Sequence, residues 1–482
     1  MNGKSITALS AVVTALIWLG ILSAWILQDP VADFTILTPG LDGFIPGQEA
    51  ASRPPIHFGE INVKFDIEPP KASADWPRFR GERFDNINRE KLALTDHLEA
   101  PLSPLWSVTL GEGHAGAAVA DGRVFILDYD EIQNADVLRC FALTDGRELW
   151  QLGYKVKIKR NHGMSRTVPA VMDNVVVTMG PRCHVMAADV NTGELLWGLD
   201  LELDFGVEVP LWYTGQCPLI DGSTAVLAVG GDTVLMMGVN IQTGLIEWSL
   251  PNPDGWKMSH SSIMSLTLAG KRQYVYCAVG GTLAVSAEPE DKGTELWQST
   301  LWTQSVLAPS PLLLPGDRIF LTAGYGAGSM MLQISSVDGQ FQADSLYTTQ
   351  PGMGLSSEQQ TPILVNDQVC GILPKDGGAM KEEFVCYSAD DTRRVMWSSG
   401  KTSRFGLGPY ILADGKFLVL SDDGVLNILD AQQNEYRLLS SSQVLPGHDA
   451  WAPMALVEGK LLLRDSQTMI CIDLAQNGVA MP

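Results

Sequence analysis

Short apolar runs, separated by turn-forming residues, recur along most of this chain. Between residues 167 and 197, three turn signals divide the sequence into four such runs: Asp173-Asn174, Gly180-Pro181 and Asn191-Thr192-Gly193. No run is long enough for a helix and β-branched residues are common, so the pattern predicts four antiparallel strands. One small sheet cannot bury both of its faces, which indicates neighbouring sheets of the same kind.

Two markers repeat in step along the chain. One residue, most often proline, precedes the first run and turn of each unit at eight positions 44 to 52 residues apart: Ala117, Pro169, Pro218, Met264, Pro311, Pro362, Pro409 and Pro453. Most units then end on a tryptophan, usually four residues after a glycine: Trp150, Trp197, Trp248, Trp297 and Trp397. Repeats of four short strands predict an all-β, eight-bladed β-propeller of four-stranded antiparallel blades.

The two ends of the repeat region complement each other. Residues 105–110 form a strand pattern that contains Trp106, but no unit precedes them. The last unit, from Pro453 to about Met481, reaches its third run at residues 469–474 and then the sequence ends. We expect the early strand to complete the last blade, because sharing one blade removes the open sheet edges of a linear array.

The N-terminal region predicts an anchor. Residues 5–27 carry no charge and follow Lys4. At ~1.5 Å per residue, such a helix spans the ~30 Å hydrocarbon core. A cleaved signal peptide is the alternative, although its apolar stretch is usually shorter. We expect residues 1–4 in the cytoplasm, a transmembrane anchor over 5–27, a Pro- and Gly-rich tether over 28–75 and the propeller over 76–482, beyond the membrane.

The amino-acid composition limits the kinds of partner and metal site that the chain can have. The chain has 33 Lys and Arg residues and 55 Asp and Glu residues, which give it a formal charge of −22. This negative charge disfavours nucleic acid as a partner. One basic stretch, residues 155–160, alternates like a strand with one wet face; it is either a solvated edge or a site for a partner or anion. Seven cysteines offer neither a disulfide framework nor zinc spacing. Cys140, Cys386 and Cys471 occupy matching places and are expected to be small packing residues.

The tryptophan-ending units resemble the PQQ-like repeats of quinoprotein dehydrogenases and of BamB-type assembly propellers. Residues 75–81, Asp-Trp-Pro-Arg-Phe-Arg-Gly, are similar to the Trp-Pro-x-Phe-Arg-Gly entry motif of bacterial PQQ-like repeat proteins. For an enzyme, the resemblance implies pyrroloquinoline quinone (PQQ) with calcium, an adjacent Cys-Cys pair, a stacking Trp and an Asp base. This chain has no adjacent cysteines and no clustered carboxylate loop, so no cofactor, metal or catalytic residue is predicted.

Residues just before each first strand are expected to approach the propeller's central channel at one end. They and their neighbours supply histidine, arginine and tryptophan, which suit an anionic or peptide partner but also serve loop packing. The candidate binding residues are His114, Arg166, Trp212, His260, Gln359, Arg404 and Trp451, with His448 nearby. The predicted function is a non-catalytic scaffold for cell-envelope proteins, on the periplasmic side of the bacterial inner membrane. The alternative is a quinone-dependent or other redox oxidoreductase with a divergent site.

Overall fold

The computed structural model describes residues 13–23, 55–68, 71–99, 101–447 and 449–476. The chain divides into two compact units, residues 1–46 and 47–482. In the first unit, the described part is a helix, α1, over residues 13–23. No helix within the described residues is both long and apolar enough to cross a membrane. The remaining parts of the expected anchor lie outside the described residues, so the transmembrane helix stays a prediction.

The second unit contains eight antiparallel sheets. The first four blades run from the innermost strand outward as follows: blade 1, β3 (Ala118–Ala120), β4 (Arg123–Asp130), β5 (Ala135–Ala142), β6 (Glu148–Lys155) and β1 (Ile61–Lys64); blade 2, β7 (Ala170–Met172), β8 (Val175–Met179), β9 (His184–Asp189) and β10 (Leu195–Asp200); blade 3, β11 (Leu219–Asp221), β12 (Thr224–Ala228), β13 (Val234–Asn240) and β14 (Ile246–Pro251); blade 4, β15 (Met264–Leu268), β16 (Lys271–Ala278), β17 (Gly281–Ser286) and β18 (Glu295–Ser299). A short helix, α2 (Leu201–Phe205), follows β10.

The other four blades have the same order: blade 5, β19 (Leu312–Leu314), β20 (Arg318–Ala323), β21 (Gly328–Val337) and β22 (Gln340–Thr349); blade 6, β23 (Ile363–Val365), β24 (Gln368–Ile372), β25 (Phe384–Ser388) and β26 (Val395–Ser398); blade 7, β27 (Tyr410–Ala413), β28 (Lys416–Leu420), β29 (Val425–Asp430) and β30 (Leu438–Gln443); blade 8, β31 (Ala455–Val457), β32 (Lys460–Arg464), β33 (Thr468–Asp473) and β2 (Trp106–Thr109). A 3-10 turn (Gly378–Met380) precedes β25. The eight-bladed propeller is confirmed.

Ring closure follows the expected pairing. Strand β2 pairs antiparallel with β33, and Trp106 lies opposite Cys471. The last blade is thus built from both ends of the repeat region, as predicted. First strands of neighbouring blades contact one another, β3 with both β7 and β31, so these strands line the central channel.

The tryptophan marker has a packing explanation. The indole of Trp106 donates to the carbonyl of Leu143, and the indole of Trp150 donates to the carbonyl of Val190, in each case on the following blade. Four marker glycines face the indole of the preceding blade so closely that a Cβ would clash: Gly146, Gly193, Gly244 and Gly293. All four have positive φ, which glycine adopts most readily. Glycine and tryptophan therefore recur together because they form the contact between blades.

The cysteine predictions are partly wrong. Cys140 and Cys471 are buried free thiols, directly opposite Trp150 and Trp106, where a small residue is needed. Cys386 takes the same place opposite Trp397, but it forms a disulfide with Cys370. These two cysteines are direct partners in the ladder between β24 and β25, with 4.1 Å between their Cα atoms. The expectation of no disulfide was wrong because cross-strand register, rather than sequence spacing, brings the two residues together.

Part of the segment expected to be a tether pairs with the propeller. Strand β1 lies antiparallel to β6, on the outer edge of blade 1. Just before it, the ring of Phe58 packs edge-on against Tyr154 with 5.0 Å between centroids, and it also contacts His184. A Cβ on Gly198 would lie 2.4 Å from Phe58, so this glycine makes room for the ring. The chain therefore covers the edge strand of its own first blade.

Residues 76–88, here called the axial segment, run through the channel. They form hydrogen bonds at or next to the first strands of six blades, through the backbone of Val119, Val171, Ile220, Pro362, Tyr410 and Leu456. The axial segment contains residues 76–81, which are the whole of the stretch that resembles the Trp-Pro-x-Phe-Arg-Gly motif. The similarity thus falls on the part of the chain that ties opposite blades together.

Candidate functional site

The two ends of the channel differ. At the end where the first two strands of each blade turn, the chain flanking the axial segment contacts the turns: Asp121 donates its N–H to Asp75, and Ser73 donates to Glu458. The residues that precede each first strand form the other end, here called the loop end. All seven candidate residues lie in the loops that lead into first strands, and five of them precede the strand by four positions: His114, Arg166, His260, Gln359 and Trp451. The loop end is therefore where their side chains must be compared.

His114 and Trp451 lie together at the loop end. Their ring centroids are 4.8 Å apart, and Gln360 from blade 6 donates to the carbonyl of Trp451 at 3.1 Å. The Nε2 atom of His114 is 3.1 Å from the carbonyl of His162. Because a carbonyl only accepts, Nε2 carries the proton in this contact. The pair thus joins blade 8 to the loop that leads into blade 2.

Arg166 continues the same chain of contacts. Its Nη2 donates to the carbonyl of His162 at 2.7 Å, the same oxygen that His114 contacts. Its Nε donates to the carbonyl of Trp212 at 2.6 Å. Every described acceptor of Arg166 is a backbone carbonyl, and no described carboxylate lies within ion-pair distance of the guanidinium. Arg166 therefore brings to the loop end a positive charge that no described carboxylate pairs with directly, although Glu112 lies near enough to act on it electrostatically.

Trp212 lies in the loop that leads into blade 3, and its ring contacts residues of blades 4 and 5. Its ring stacks with His260 at 6.3 Å and with Tyr325 at 5.7 Å between centroids. Trp212 and Tyr213 have φ of 61° and 71°, a conformation that costs non-glycine residues ~1–2 kcal/mol each. The bond from Arg166 to Trp212, and the one from the Tyr213 hydroxyl to the Lys159 carbonyl at 2.5 Å, hold them there. The rings are thus fixed in position by the loops around them.

Burial sets the charges at this end. Desolvation, reinforced by Arg166, lowers the pKa of His114 to about 3 and that of His260 to about 4. Desolvation also lowers the pKa of Arg166 to about 10, which leaves it protonated at neutral pH. Burial raises the pKa of Glu358, which lies beside Gly324 in the same region. At neutral pH the two histidines are therefore neutral and Arg166 is the cation among them.

The structure thus joins five candidates in one arc: His114, Arg166, Trp212, His260 and Trp451. Gln359 lies instead in a small pocket between blades 6 and 7, beside Gly406 and Gly408. Arg404 donates to the carbonyls of Lys381 and Ala379, with Glu383 3.8 Å away, apart from the arc. His448 lies outside the described residues. Whether any of these residues binds a partner stays a prediction.

The sequence pattern did not identify Tyr325 as a member of this arc. It lies in the Gly-rich turn that joins β20 to β21. The side chain is 60% exposed and adds an aromatic surface next to Trp212. A non-glycine residue within a Gly-rich turn was the available signal. Among the described residues, no group of His, Cys, Asp or Glu is arranged to hold a metal ion.

Comparison with known proteins identifies other proteins with a similar fold. The family model described as outer membrane protein assembly factor BamB matches residues 133–340. BamB from Moraxella catarrhalis superposes with a TM-score of 0.52 at 13% identity, over 77% of this chain and 99% of that one. Quinohemoprotein alcohol dehydrogenase ADHIIG from Pseudomonas putida HK5 gives 0.55 at 12%, over 85% and 82%. The quinohemoprotein alcohol dehydrogenase of Comamonas testosteroni gives 0.56 at 11%, over 85% and 81%.

At these identities the structural likeness is one of fold. No curated protein sequence matches the chain. BamB and the quinohemoprotein dehydrogenases share the architecture, so the fold does not choose between an assembly factor and an oxidoreductase. The family-model match and the shared fold nevertheless confirm the resemblance of this eight-bladed propeller to the PQQ-like repeat family.

Proposed function

We propose that this chain is a non-catalytic scaffold, which binds protein partners at the loop end of its propeller. The observation that carries the proposal is the contrast between the two ends of the channel. The axial segment fills the channel and closes one end with the chain's own backbone. The loop end presents an arginine without a direct carboxylate partner among the described residues, beside tryptophan and tyrosine rings, the residue types that dominate protein-binding hot spots.

Rigidity supports this function. Arg166 and Trp212 are held by backbone carbonyls and by ring stacking, so binding does not have to order them. Ordering a flexible side chain on association costs ~0.5–1.5 kcal/mol, and a preformed surface avoids that cost. The family-model match to BamB, an assembly factor by its description, agrees with a role in holding other proteins.

We further propose attachment to the bacterial inner membrane through residues 5–27, with the propeller in the periplasm. The uncharged 23-residue stretch after Lys4 supports the anchor. The Cys370–Cys386 disulfide supports an oxidising compartment, because cytosolic thiols are kept reduced. A carbonate wash of membranes from cells expressing the full chain tests the anchor: retention is expected, and release would contradict it. N-terminal sequencing of the retained protein separates an intact anchor from a cleaved signal.

Site-specific photo-crosslinking tests partner binding at the loop end. A benzoylphenylalanine at Tyr325, which is 60% exposed, is expected to capture a partner in native membranes. The matched control is the same residue at Leu245, which is 69% exposed on a turn of blade 3. Adducts at 325 that are absent at 245 and lost on Arg166→Gln support the site. Equal adducts at both positions would contradict it.

A titration with PQQ and calcium tests the non-catalytic part of the proposal. Sub-micromolar binding by calorimetry would overturn it in favour of an oxidoreductase. The absence of heat above the buffer control at micromolar protein is the expected result. Arg166→Gln again serves as the comparison, because a quinone carboxylate at the loop end would lose affinity with that change.

A further inference from the structure

The exposed ring of Tyr325 lies between a basic and an acidic side of the loop end. On the basic side, it stacks on Trp212 with 5.7 Å between ring centroids, and the Trp212 carbonyl accepts from Arg166 at 2.6 Å. On the acidic side, a Cβ built on Gly324 would lie 2.4 Å from the Cγ of Glu358, so the turn that carries Tyr325 packs directly against this glutamate. Arg166 and Glu358 therefore flank one pair of aromatic rings.

Both charges act on the same tyrosine. Burial raises the pKa of Tyr325; Glu358 adds to the rise and Arg166 opposes it. Opposite effects on one hydroxyl place the two charges within electrostatic reach of it. The Nη1 atom of Arg166 has no acceptor among the described residues, since the donors in its printed contacts are Nε and Nη2. That N–H group is available to a carboxylate from a partner.

Glu358 is suited to receive a cation. It is half-buried and lines the small pocket between blades 6 and 7 together with Gln359. Its Oε2 accepts from the N–H of Lys375 at 3.5 Å, and no described ammonium or guanidinium lies within ion-pair distance of it. Burial raises the pKa of Glu358; Lys375 opposes the rise, and Asp376 and Glu382 reinforce it. An incoming ammonium or guanidinium would offset this desolvation and repulsion.

The position of the tyrosine and the signs of the charges limit what fits. The N–H of Gly326 donates to the carboxylate of Asp376 at 2.6 Å, which ties the turn that carries Tyr325 to the adjacent loop of blade 6. A ligand with one sign of charge fits only one side, because Glu358 repels an anion and Arg166 repels a cation. A ligand that carries both charges fits the whole surface.

We propose that the loop end binds a segment of the protein partner in which an acidic and a basic side chain flank an apolar one. This proposal rests on the proposed function and specifies the chemistry of the partner. The acidic side chain pairs with Nη1 of Arg166, the apolar side chain packs on Tyr325, and the basic side chain pairs with Glu358. The two charges also fix the direction of the segment, because the reverse orientation brings like charges together.

Fluorescence anisotropy with labelled peptides tests the two charge pairs. In three probes, Glu and Lys flank a Phe, with one, two or three glycines on each side. Replacing Lys by norleucine in the tightest probe is expected to weaken binding about fivefold on the parent and to have no effect on Glu358→Gln. Replacing its Glu by Gln should likewise matter on the parent and not on Arg166→Gln. Glu290→Gln, at an exposed turn between β17 and β18 at the opposite end of the channel, is the control and should behave as the parent.

Crosslinking from position 325 in native membranes tests the same chemistry on the natural partner. Glu358→Gln is expected to reduce the adduct several-fold, whereas Glu290→Gln should leave it unchanged. The proposal is overturned by an adduct that Glu358→Gln does not reduce, by equal effects of norleucine on the parent and on Glu358→Gln, or by no binding of any probe at about 1 mM. These results leave the loop-end scaffold in place; the absence of any adduct at position 325 would refute the scaffold itself.

Discussion

At the scale of single residues, the glycine of each marker decides how closely two blades approach. Gly193 has φ of 65°, and a Cβ built on it would lie 2.6 Å from the indole of Trp150. Gly222 has a similar φ of 58°, but a Cβ there would meet no atom within 4 Å. The two positions therefore separate the cost of the backbone conformation from the cost of the clash with the next blade.

Gly193→Ala is expected to destabilise the propeller more than Gly222→Ala. Both variants place a side chain in the left-handed region, at ~1–2 kcal/mol. Only Gly193→Ala also forces Trp150 to move, which adds ~1–3 kcal/mol of overpacking. Urea unfolding followed by tryptophan fluorescence measures the difference. Equal midpoints for the two variants would show that the glycine is kept for its backbone alone.

Asp136 is a buried carboxyl between blades 1 and 2. The hydroxyl of Tyr154 donates to its Oδ2 at 2.6 Å, and burial raises its pKa from 3.8 to about 7. Asp136 in the folded protein therefore holds a proton that it loses near pH 4 in the unfolded chain. Between those values the folded state binds more protons, so Asp136 makes the free energy of unfolding fall as pH rises from about 4 to about 7.

Asp136→Asn removes this pH dependence, because an amide imitates the protonated acid and cannot ionise. The variant is expected to be more stable than the parent at pH 8, by at most ~4 kcal/mol, and similar to it at pH 4. The exposed Asp254→Asn is the control and should follow the parent across the range. Thermal denaturation at both pH values measures the effect. A variant less stable at pH 8 would mean that the ionised carboxylate is the native form.

At the scale of elements, the sequence predicted where the strands lie, but it did not predict which individual residues face each other across a hairpin. Turn residues such as Asp173-Asn174 mark where strands end, so boundaries follow from local chemistry. The pairing of Cys370 with Cys386 depends on the register between β24 and β25. The place of Cys386 in the repeat predicted a small packing residue, and in the structure Cys386 lies opposite Trp397 in the ladder between β25 and β26. A prediction of the disulfide would also have required the distance of Cys370 from the turn, which places it opposite Cys386.

The Cys370–Cys386 bond is expected to stabilise blade 6. Its two cysteines are 16 residues apart, and closing a loop of that size stabilises a fold by ~3 kcal/mol in the chain-entropy account. C370A/C386A should lower the free energy of unfolding by about that amount, and reductant should bring the parent to the same level. Cys140→Ala, at the matching place in blade 1, should cost ~1 kcal/mol. Denatured parent protein should expose five thiols without reductant and seven with it; seven under both conditions would rule the bond out.

At the scale of the whole molecule, the sequence predicted the ring and its closure but not what fills it. Eight units in step and a lone strand at Trp106 were enough for the closed propeller, because each is a local and repeated signal. The axial segment has no sequence periodicity. Its side chains donate to backbone carbonyls, which every residue type has, so the sequence of the blades does not reveal these hydrogen bonds. Likewise, the arc at the loop end was predicted where it follows the repeat register. Tyr325 was missed because it lies in a turn outside that register.

Arg80 offers a test of whether the axial segment holds the ring together. The side chain is 2% exposed; its Nε donates to Phe84, its Nη1 to Thr361 at 2.6 Å and its Nη2 to Pro362 at 3.1 Å, all at backbone carbonyls. Burial lowers its pKa to about 10, so it remains charged at neutral pH. Arg80→Met would leave three carbonyls without this donor, which outweighs the relief of a buried charge.

Arg80→Met is therefore expected to lower the free energy of unfolding by about 3 kcal/mol. Differential scanning calorimetry should also show a broader transition, because blade 6 loses its bridge to the axial segment. Arg89→Met is the matched control, since Arg89 forms an exposed pair with Asp85 worth at most ~1 kcal/mol. If both variants melt like the parent, the axial segment fills the channel without tying the blades, and the ring would derive its cohesion from blade-to-blade contacts such as that of Gly193 with Trp150.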